Sequence, residues 1–274
     1  FRRVLFRSGF VRTKGEVVTS ESGSNLTRGV ATALMNKGEY AVLEVDELHL
    51  PIVAAQVNPS VILLLNLSRD QLHRMFEVKR VADKWCEMCA ATSATVVADI
   101  DDPFVNYAVS AAKKSVRVSF GGAAGKHVDG STCPSCGAYV DWDGGMYVCQ
   151  CGLTNHSADV VLNGDTAAVR NIELANVAAE QFGIPWHECD VEMLERKAHK
   201  QFGNVDASIR LTKNPASWRE ALRGVKGDQV ILILNAREVD GIDTSWLWDV
   251  SYASLDRKST RLNSSHIPLS RMPS

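Results

Sequence analysis

The chain has 274 residues, 45% of them hydrophobic and 23% charged. That composition excludes collagenous, disordered and disulfide-dense classes and supplies one large domain or two modest ones. The formal net charge is −2, from 30 Lys and Arg against 32 Asp and Glu, but seven basic residues sit in the acid-free segments Phe1–Ser8 and Arg257–Ser274. Without them the balance is 23 to 32, or −9, and a body this acidic is a poor binder of nucleic acid, whose phosphates require clustered positive charge.

Those two terminal segments lack apolar period and resemble translated sequencing-adapter sequence. They are set aside, with the expectation that the natural gene runs on beyond one or both ends. No N-terminal segment has the zones of a signal peptide. The longest apolar runs, Val61–Leu65 and Val230–Leu234, are far too short to span a bilayer.

In chain order, Glu16–Thr19 reads as a short strand, followed by a polar Ser/Gly loop. Leu26–Asn36 has helical period and stops at Lys37-Gly38. Tyr40–Val45 is a strand that runs into acids, and Ser60–Leu65 is a second, ending at Asn66. Gln71–Ala90 reads as a long amphipathic helix, Thr95–Ala98 as a third strand and Val116–Ser119 as a fourth. Strand–helix alternation with fully apolar strands predicts a parallel sheet covered on both faces. Ligands of such sheets sit at the carboxyl ends of strands. That directs attention to Glu44, Asp46 and Glu47, to Asn66 and Asp70, and to Asp99, Asp101 and Asp102.

Residues 121–159 break the rhythm and read as an insertion rich in Gly and Cys. Asn171–Phe182 and Glu188–Phe202 then read as helices, Ser208–Leu211 as a strand, and Lys213-Asn214-Pro215 opens another helix. Val230–Leu234 is a further strand, followed by an acidic segment. A domain boundary falls near Gly203–Asp206.

The insertion carries Cys133-Pro-Ser-Cys136-Gly137 and, twelve residues on, Cys149-Gln-Cys151-Gly152. Two thiolates two residues apart, then Gly, form a knuckle for a tetrahedral ion, and four soft ligands suit Zn²⁺ in a closed, structural site. The single residue between Cys149 and Cys151 leaves His127 or His156 open as a replacement ligand. Cys86 and Cys89 share a helix face, where packing is the simpler reading, and Cys189 reads as structural.

Three stretches are specific: LEVDELHLP (Leu43–Pro51), VILLLNLSRDQLHRMFEV (Val61–Val78) and DIDDPFV (Asp99–Val105). They resemble the central domain of the Mur ligase family. The Cys-rich insertion, KNPASWREAL (Lys213–Leu222) and ILNAREVDGIDTSWLWDV (Ile233–Val250) are most similar to its MurT branch, the synthetase subunits of lipid II isoglutaminyl synthase. The resemblance implies a central α/β domain over 9–204 without its N-terminal phosphate loop, a zinc-ribbon insertion at 121–159, and a truncated MurT-type C-terminal domain over 205–255.

The activity it implies is ATP-dependent amidation of the α-carboxylate of D-glutamate in lipid II. Ammonia would come from a separate GatD glutaminase, and the work would be done at the inner face of the cell membrane. Two anions brought side by side need Mg²⁺ and positive groups. By the same resemblance Glu44 binds Mg²⁺, Asn66 and Asp70 line the nucleotide site, Asp101 and Asp102 lie near the nucleotide, and Asn176 lies near the adenine. In the C-terminal domain Asp243 is the expected catalytic carboxylate, with Asp240 and Asp249 close behind, orienting ammonia or taking its proton.

Blander readings stand beside these. Asn66 and Asp70 are good helix caps, and Asp101-Asp102-Pro103 is a good helix start. Trp246 and Trp248 read as core of a small domain or as a partner surface. The family's G-x-x-G-K-T-T phosphate loop does not occur in the sequence, Gln71 stands where Mur ligases often place His, and Asn204 where they usually have Arg. Three function classes follow: the amidating ligase subunit, an amino-acid-adding or folylpolyglutamate-synthase-like ligase, and a non-catalytic zinc-ribbon binding module.

Overall fold

The computed structural model describes residues 15–20, 25–68, 78–186, 198–212, 214–223, 225, 230–233, 245–252 and 261–262. They fall into two compact units. One holds the described residues up to Leu67 and those from Val78 to Trp186; the other holds Ser68 and those from Ala198 on.

The first unit is built on parallel strands. β3 (Val61–Leu64), β4 (Thr95–Asp99), β5 (Ser115–Ser119) and β8 (Val160–Val161) lie side by side in that order, every pair parallel. β1 (Val17–Thr19) and β2 (Tyr40–Val42) form a separate parallel pair. The apolar runs make buried strands because both faces are covered. On one face α5 (Ala167–Glu180) sets Leu174 and Val177 against Val97, Val118 and Phe120. The same helix sets Ala175 and Ala179 against Val17, Tyr40 and Val42.

The other face receives α3 (Val78–Ala91) and α4 (Pro103–Val109). Their buried stripe is Val81, Ala82, Trp85, Met88 and Cys89 on α3, with Phe104, Val105 and Ala108 on α4. Cys89 packs there as a small apolar residue, and burial pushes its thiol up to about 12. Two shorter helices, α1 (Thr27–Leu34) and α2 (Leu50–Val57), follow β1 and β2.

Between β5 and β8 the chain leaves the sheet and builds a small module around the hairpin β6 (Asp141–Asp143) and β7 (Met146–Val148). Its apolar centre is only Cys133, Val140, Tyr147 and Cys149, with Ala138, Trp142 and Leu153 against it. A core this small does not normally hold a fold without a staple.

In the second unit β9 (Ala198–Phe202) and β10 (Val205–Ile209) form an antiparallel hairpin. This corrects the helix expected over 188–202: its described end is a strand. The turn is made at Gly203, whose φ of +59° lies in the left-handed region open to Gly. The pairing that this turn allows outweighs the helical period of that stretch. α6 (Pro215–Arg223) starts at the expected Asn-Pro, with Asn214 Oδ1 accepting from the Ser217 amide at 2.8 Å. β11 (Ile231–Leu232) pairs in parallel with β12 (Arg261–Leu262).

Trp218 on α6 is the buried centre of this unit, with Trp246 at 6.2 Å and Tyr252 at 5.3 Å between ring centroids. Of the tryptophan pair singled out in the sequence, Trp246 therefore joins the core, while Trp248 is exposed.

Candidate functional site

The four cysteines of the insertion converge, as their spacing predicts. All four Sγ atoms lie within 4.8 Å of one another, with Cys133 and Cys151 at 3.6 Å and Cys136 and Cys149 at 3.5 Å. The irregular spacing of the second pair has a local explanation. In the first knuckle Gly137 N–H donates to Cys133 C=O at 2.9 Å, and an antiparallel bridge joins Thr132 to Tyr139. In the second, Gly152 N–H donates to Cys149 C=O at 2.9 Å, and the bridge joins Val148 to Thr154. The second turn is one residue tighter, yet delivers its two sulfurs to the same place. Gly137 (φ +74°) and Gly152 (φ +91°) take the left-handed conformation that each knuckle needs.

The thiols differ electrostatically, even within one knuckle, where Cys149 is raised and Cys151 lowered. The Leu153 amide donates to the Cys151 sulfur and lowers that thiol to about 7, whereas burial raises Cys133 to about 12. Neither histidine left open as a substitute ligand enters the group: His156 is exposed, and His127 Nε2 lies 3.2 Å from Asp102.

Asp101 and Asp102 stand at the carboxyl end of β4, buried, and both are heavily hydrogen-bonded. Asp101 Oδ1 accepts from Ser119 Oγ at 2.7 Å and Asn155 Nδ2 at 2.8 Å; its Oδ2 accepts from the amides of Phe120 at 2.9 Å and Gly122 at 3.1 Å. Asp102 Oδ1 caps α4 through the amides of Phe104 at 2.8 Å and Val105 at 3.3 Å, with Pro103 in the first turn. Its Oδ2 accepts from the Leu67 amide at 2.6 Å and faces His127 Nε2. A carboxylate offers about four acceptor sites, so Asp101 has its full complement, while Asp102 holds three amides and the His127 ring lies against it. These bonds make the pair a structural hub, and a direct ligand contact by the Asp101 carboxylate would compete with one of its four bonds. Asp99, buried just before, is pushed well above the usual carboxylate range by burial and then by the neighbouring Asp101 charge.

Glu44 is placed differently. It follows β2, and its amide donates to Ser20 Oγ at 3.0 Å, beyond β1. The loop after it is pinned by Asp46 N–H to Asn25 C=O at 2.9 Å, Leu48 N–H to Asp46 Oδ1 at 3.0 Å and Trp85 Nε1–H to Glu47 C=O at 2.8 Å. Among the described residues the Glu44 carboxylate accepts no hydrogen bond, in contrast to the acid pair. Asn66 is exposed at the end of β3, next to the Leu67 amide that Asp102 holds.

Asn176 is buried on α5 and bonded to Glu173, whose carboxyl burial raises. In the second unit Asp249 ends the 3-10 helix Ser245–Asp249 and is exposed. Asp70, Asp240 and Asp243, with Gln71 and Cys189, lie outside the described residues.

Sequence reading missed the side chains that join the module to the sheet. Asn155 has its amide fully used: Nδ2 donates to Asp101 and to Gly145 C=O at 3.1 Å, and Oδ1 accepts from Tyr147 N–H at 2.9 Å. Asn106, also buried, donates to Tyr147 Oη at 2.7 Å and Thr154 C=O at 2.9 Å, and accepts from Arg117. Tyr147 Oη in turn donates to Ile100 C=O at 3.0 Å. Close by, the backbones of Gly122 and Gly145 touch: a Cβ on Gly145 would lie 1.9 Å from Gly122 O, and one on Gly122 2.4 Å from the Gly145 carbonyl carbon.

Comparison with known proteins gives these residues a context. Residues 211–267 match the family model described as MurT ligase C-terminal. Two curated relatives are each named lipid II isoglutaminyl synthase (glutamine-hydrolyzing) subunit MurT. The one from Staphylococcus aureus (strain COL) is 26% identical over 89% of this chain and 66% of its own length. The one from Streptococcus pneumoniae (strain ATCC BAA-255 / R6) is 26% identical over 88% of this chain and 66% of its own. The chain thus spans just under two-thirds of the curated relatives it matches. Among solved structures, a pseudomurein peptide ligase type C from Methanothermus fervidus superposes with a TM-score of 0.67 at 18% identity, covering 88% of this chain and 57% of the other. The chain is thus similar to the MurT subunits over most of its length, and its α/β fold is shared with the pseudomurein peptide ligase.

Proposed function

We propose that this chain belongs to an ATP-dependent carbon–nitrogen ligase that amidates the α-carboxylate of D-glutamate in lipid II. Ammonia would be delivered by a GatD-like glutaminase in a heterodimer. The observation that carries this reading is similarity to MurT along 89% of the chain, joined by the C-terminal family match. Lipid II places the work at the inner face of the cell membrane; among the described residues no helix is long and apolar enough to cross it.

A carboxylate is a poor electrophile. Phosphoryl transfer from ATP makes it an acyl phosphate, ammonia attacks the carbonyl carbon, and phosphate leaves with the bonding pair. Glu44, a hard oxygen donor without another partner among the described residues, fits Mg²⁺, which would offset the charge of the converging anions. Asn66 and Asp70 would line the nucleotide site. Asp243, with Asp240 and Asp249, would orient ammonia or take its proton as the amide forms. Asp101, Asp102 and Asn176 would serve that site from beneath, by holding the strand ends and α5 in place.

The four thiols fit Zn²⁺. Tetrahedral Zn–S bonds of about 2.3 Å put sulfurs roughly 3.8 Å apart, and the pairs here stand at 3.5 and 3.6 Å. Four sulfur ligands leave no open position, so the ion would serve as the staple that the small module needs.

The test is a full-length protein carrying this segment, purified with its glutaminase and supplied with lipid II, ATP and glutamine. Amidated lipid II by mass spectrometry is the expected product. Amino-acid addition without glutaminase would replace this reading by the amino-acid-adding ligase. Neither product, from a folded complex, would leave a binding module.

A further inference from the structure

The Cys-rich module grips the sheet at the end where strand-end residues would meet the nucleotide. Asn155 follows Cys151 by four residues and is buried. Its Nδ2 is 2.8 Å from Asp101 Oδ1. The same carboxylate holds Ser119 Oγ and the amides of Phe120 and Gly122, the residues through which the chain leaves β5. A second tie runs from the module's Tyr147 and Thr154 to Asn106 and Ile100, and a third from His127 to Asp102, which holds the Leu67 amide beside Asn66.

We propose that Asn155 is a positioning residue of the ligase site: through Asp101 it fixes the Phe120–Gly122 turn at the sheet's carboxyl edge, and so couples the thiol module to nucleotide binding. This coupling rests on the ligase reading above.

The chemistry of the contact supports a fixing role. Asn155 spends both amide protons and its oxygen on three partners in two segments, so it cannot turn without leaving buried groups unpaired. Asp101 in turn has no spare acceptor site. Loss of Asn155 frees one of them and loosens the two backbone amides it shares a carboxylate with. Asn155 bonds none of the four cysteines directly, and each knuckle closes through its own backbone bonds.

The experiment compares Asn155→Ala with wild type in the full-length protein and its partner. Three readouts are taken: zinc content, hydrogen exchange at the amides of Phe120 and Gly122, and ATP affinity by calorimetry. The expected result is unchanged zinc content, faster exchange at those amides, and ATP binding weakened roughly tenfold, a usual size for coupling between sites. Asn155→Ser, which restores a short polar group, should recover part of the affinity.

Unchanged exchange at Phe120 and Gly122 overturns the proposal whatever the nucleotide result. Faster exchange with unchanged ATP affinity overturns the coupling and leaves Asn155 a structural bond only. If Asn155→Ala fails to fold, the serine variant carries the same measurements. Wild-type protein that binds no ATP refutes the ligase reading itself, and the coupling with it, while the exchange data still decide whether Asn155 holds the turn.

Discussion

Asp101→Asn separates two readings of one residue, nucleotide contact and structural hub. The carboxylate accepts four hydrogen bonds at 2.7 to 3.1 Å. An amide in its place keeps one oxygen, which serves two donors, and turns an NH₂ towards the other two. A hydrogen bond to a charged group is worth about 1.5–3 kcal/mol, so losing two costs roughly 4 kcal/mol. That is a large share of the ~5–15 kcal/mol that keeps a protein folded. At about 2–4 °C per kcal/mol for a unit of this size, the melting temperature should fall by roughly 10 °C. Differential scanning calorimetry of the purified protein reads this directly. A shift below about 2 °C, with activity lost, would show that the four bonds carry little weight and that Asp101 acts on the nucleotide.

Other expectations follow from the same geometry. Asp99 is buried with its pKa raised, so between the ordinary carboxylate pKa and the raised one the folded state holds the extra proton. Stability then falls as pH rises through that window and stays reduced above it. Asp99→Asn keeps an oxygen for the Asp101 amide, removes this penalty, and should be at least as stable as wild type at pH 7 in urea titrations; a clear loss there contradicts the assignment. Metal analysis of reduced protein should find about one zinc per chain, and Cys133→Ser should abolish it; stoichiometric zinc in that variant would disprove the four-thiol site. In the full-length complex, Glu44→Gln and Asp243→Asn should each lower the amidation rate at least about a hundredfold while melting temperatures hold, and wild-type rates would remove those roles.

What could be read from the sequence depended on how local the cause was. The apolar runs at Val61–Leu64 and Thr95–Ala98 became parallel strands because burial on both faces leaves that composition little choice. The knuckles were legible because each carries its thiols and its Gly within a few residues. The cap role of Asp102 was also legible, since Asp before Pro at a helix start is a local signal. Asp101 was not, because its partners lie 18 to 54 residues downstream and no spacing announces them. Asn155, Asn106 and Tyr147 were silent for the same reason: a polar side chain in a Cys-rich loop, or on a helix such as α4, gives no hint of a partner 41 or more residues away. The strand at Ala198–Phe202 was misread because its pairing depends on Gly203, one residue whose conformation outweighed the helical period before it.

The contact between Gly122 and Gly145 bears on how the module is inherited. With main chain against main chain, neither position tolerates even a methyl group unless the other segment moves away. The thiol module is therefore no interchangeable cassette. Transplanted into a protein with any bulkier residue at the place of Gly122, in the turn after its fifth strand, it would be unable to seat, and in lineages that keep it the two glycines should be retained or lost together.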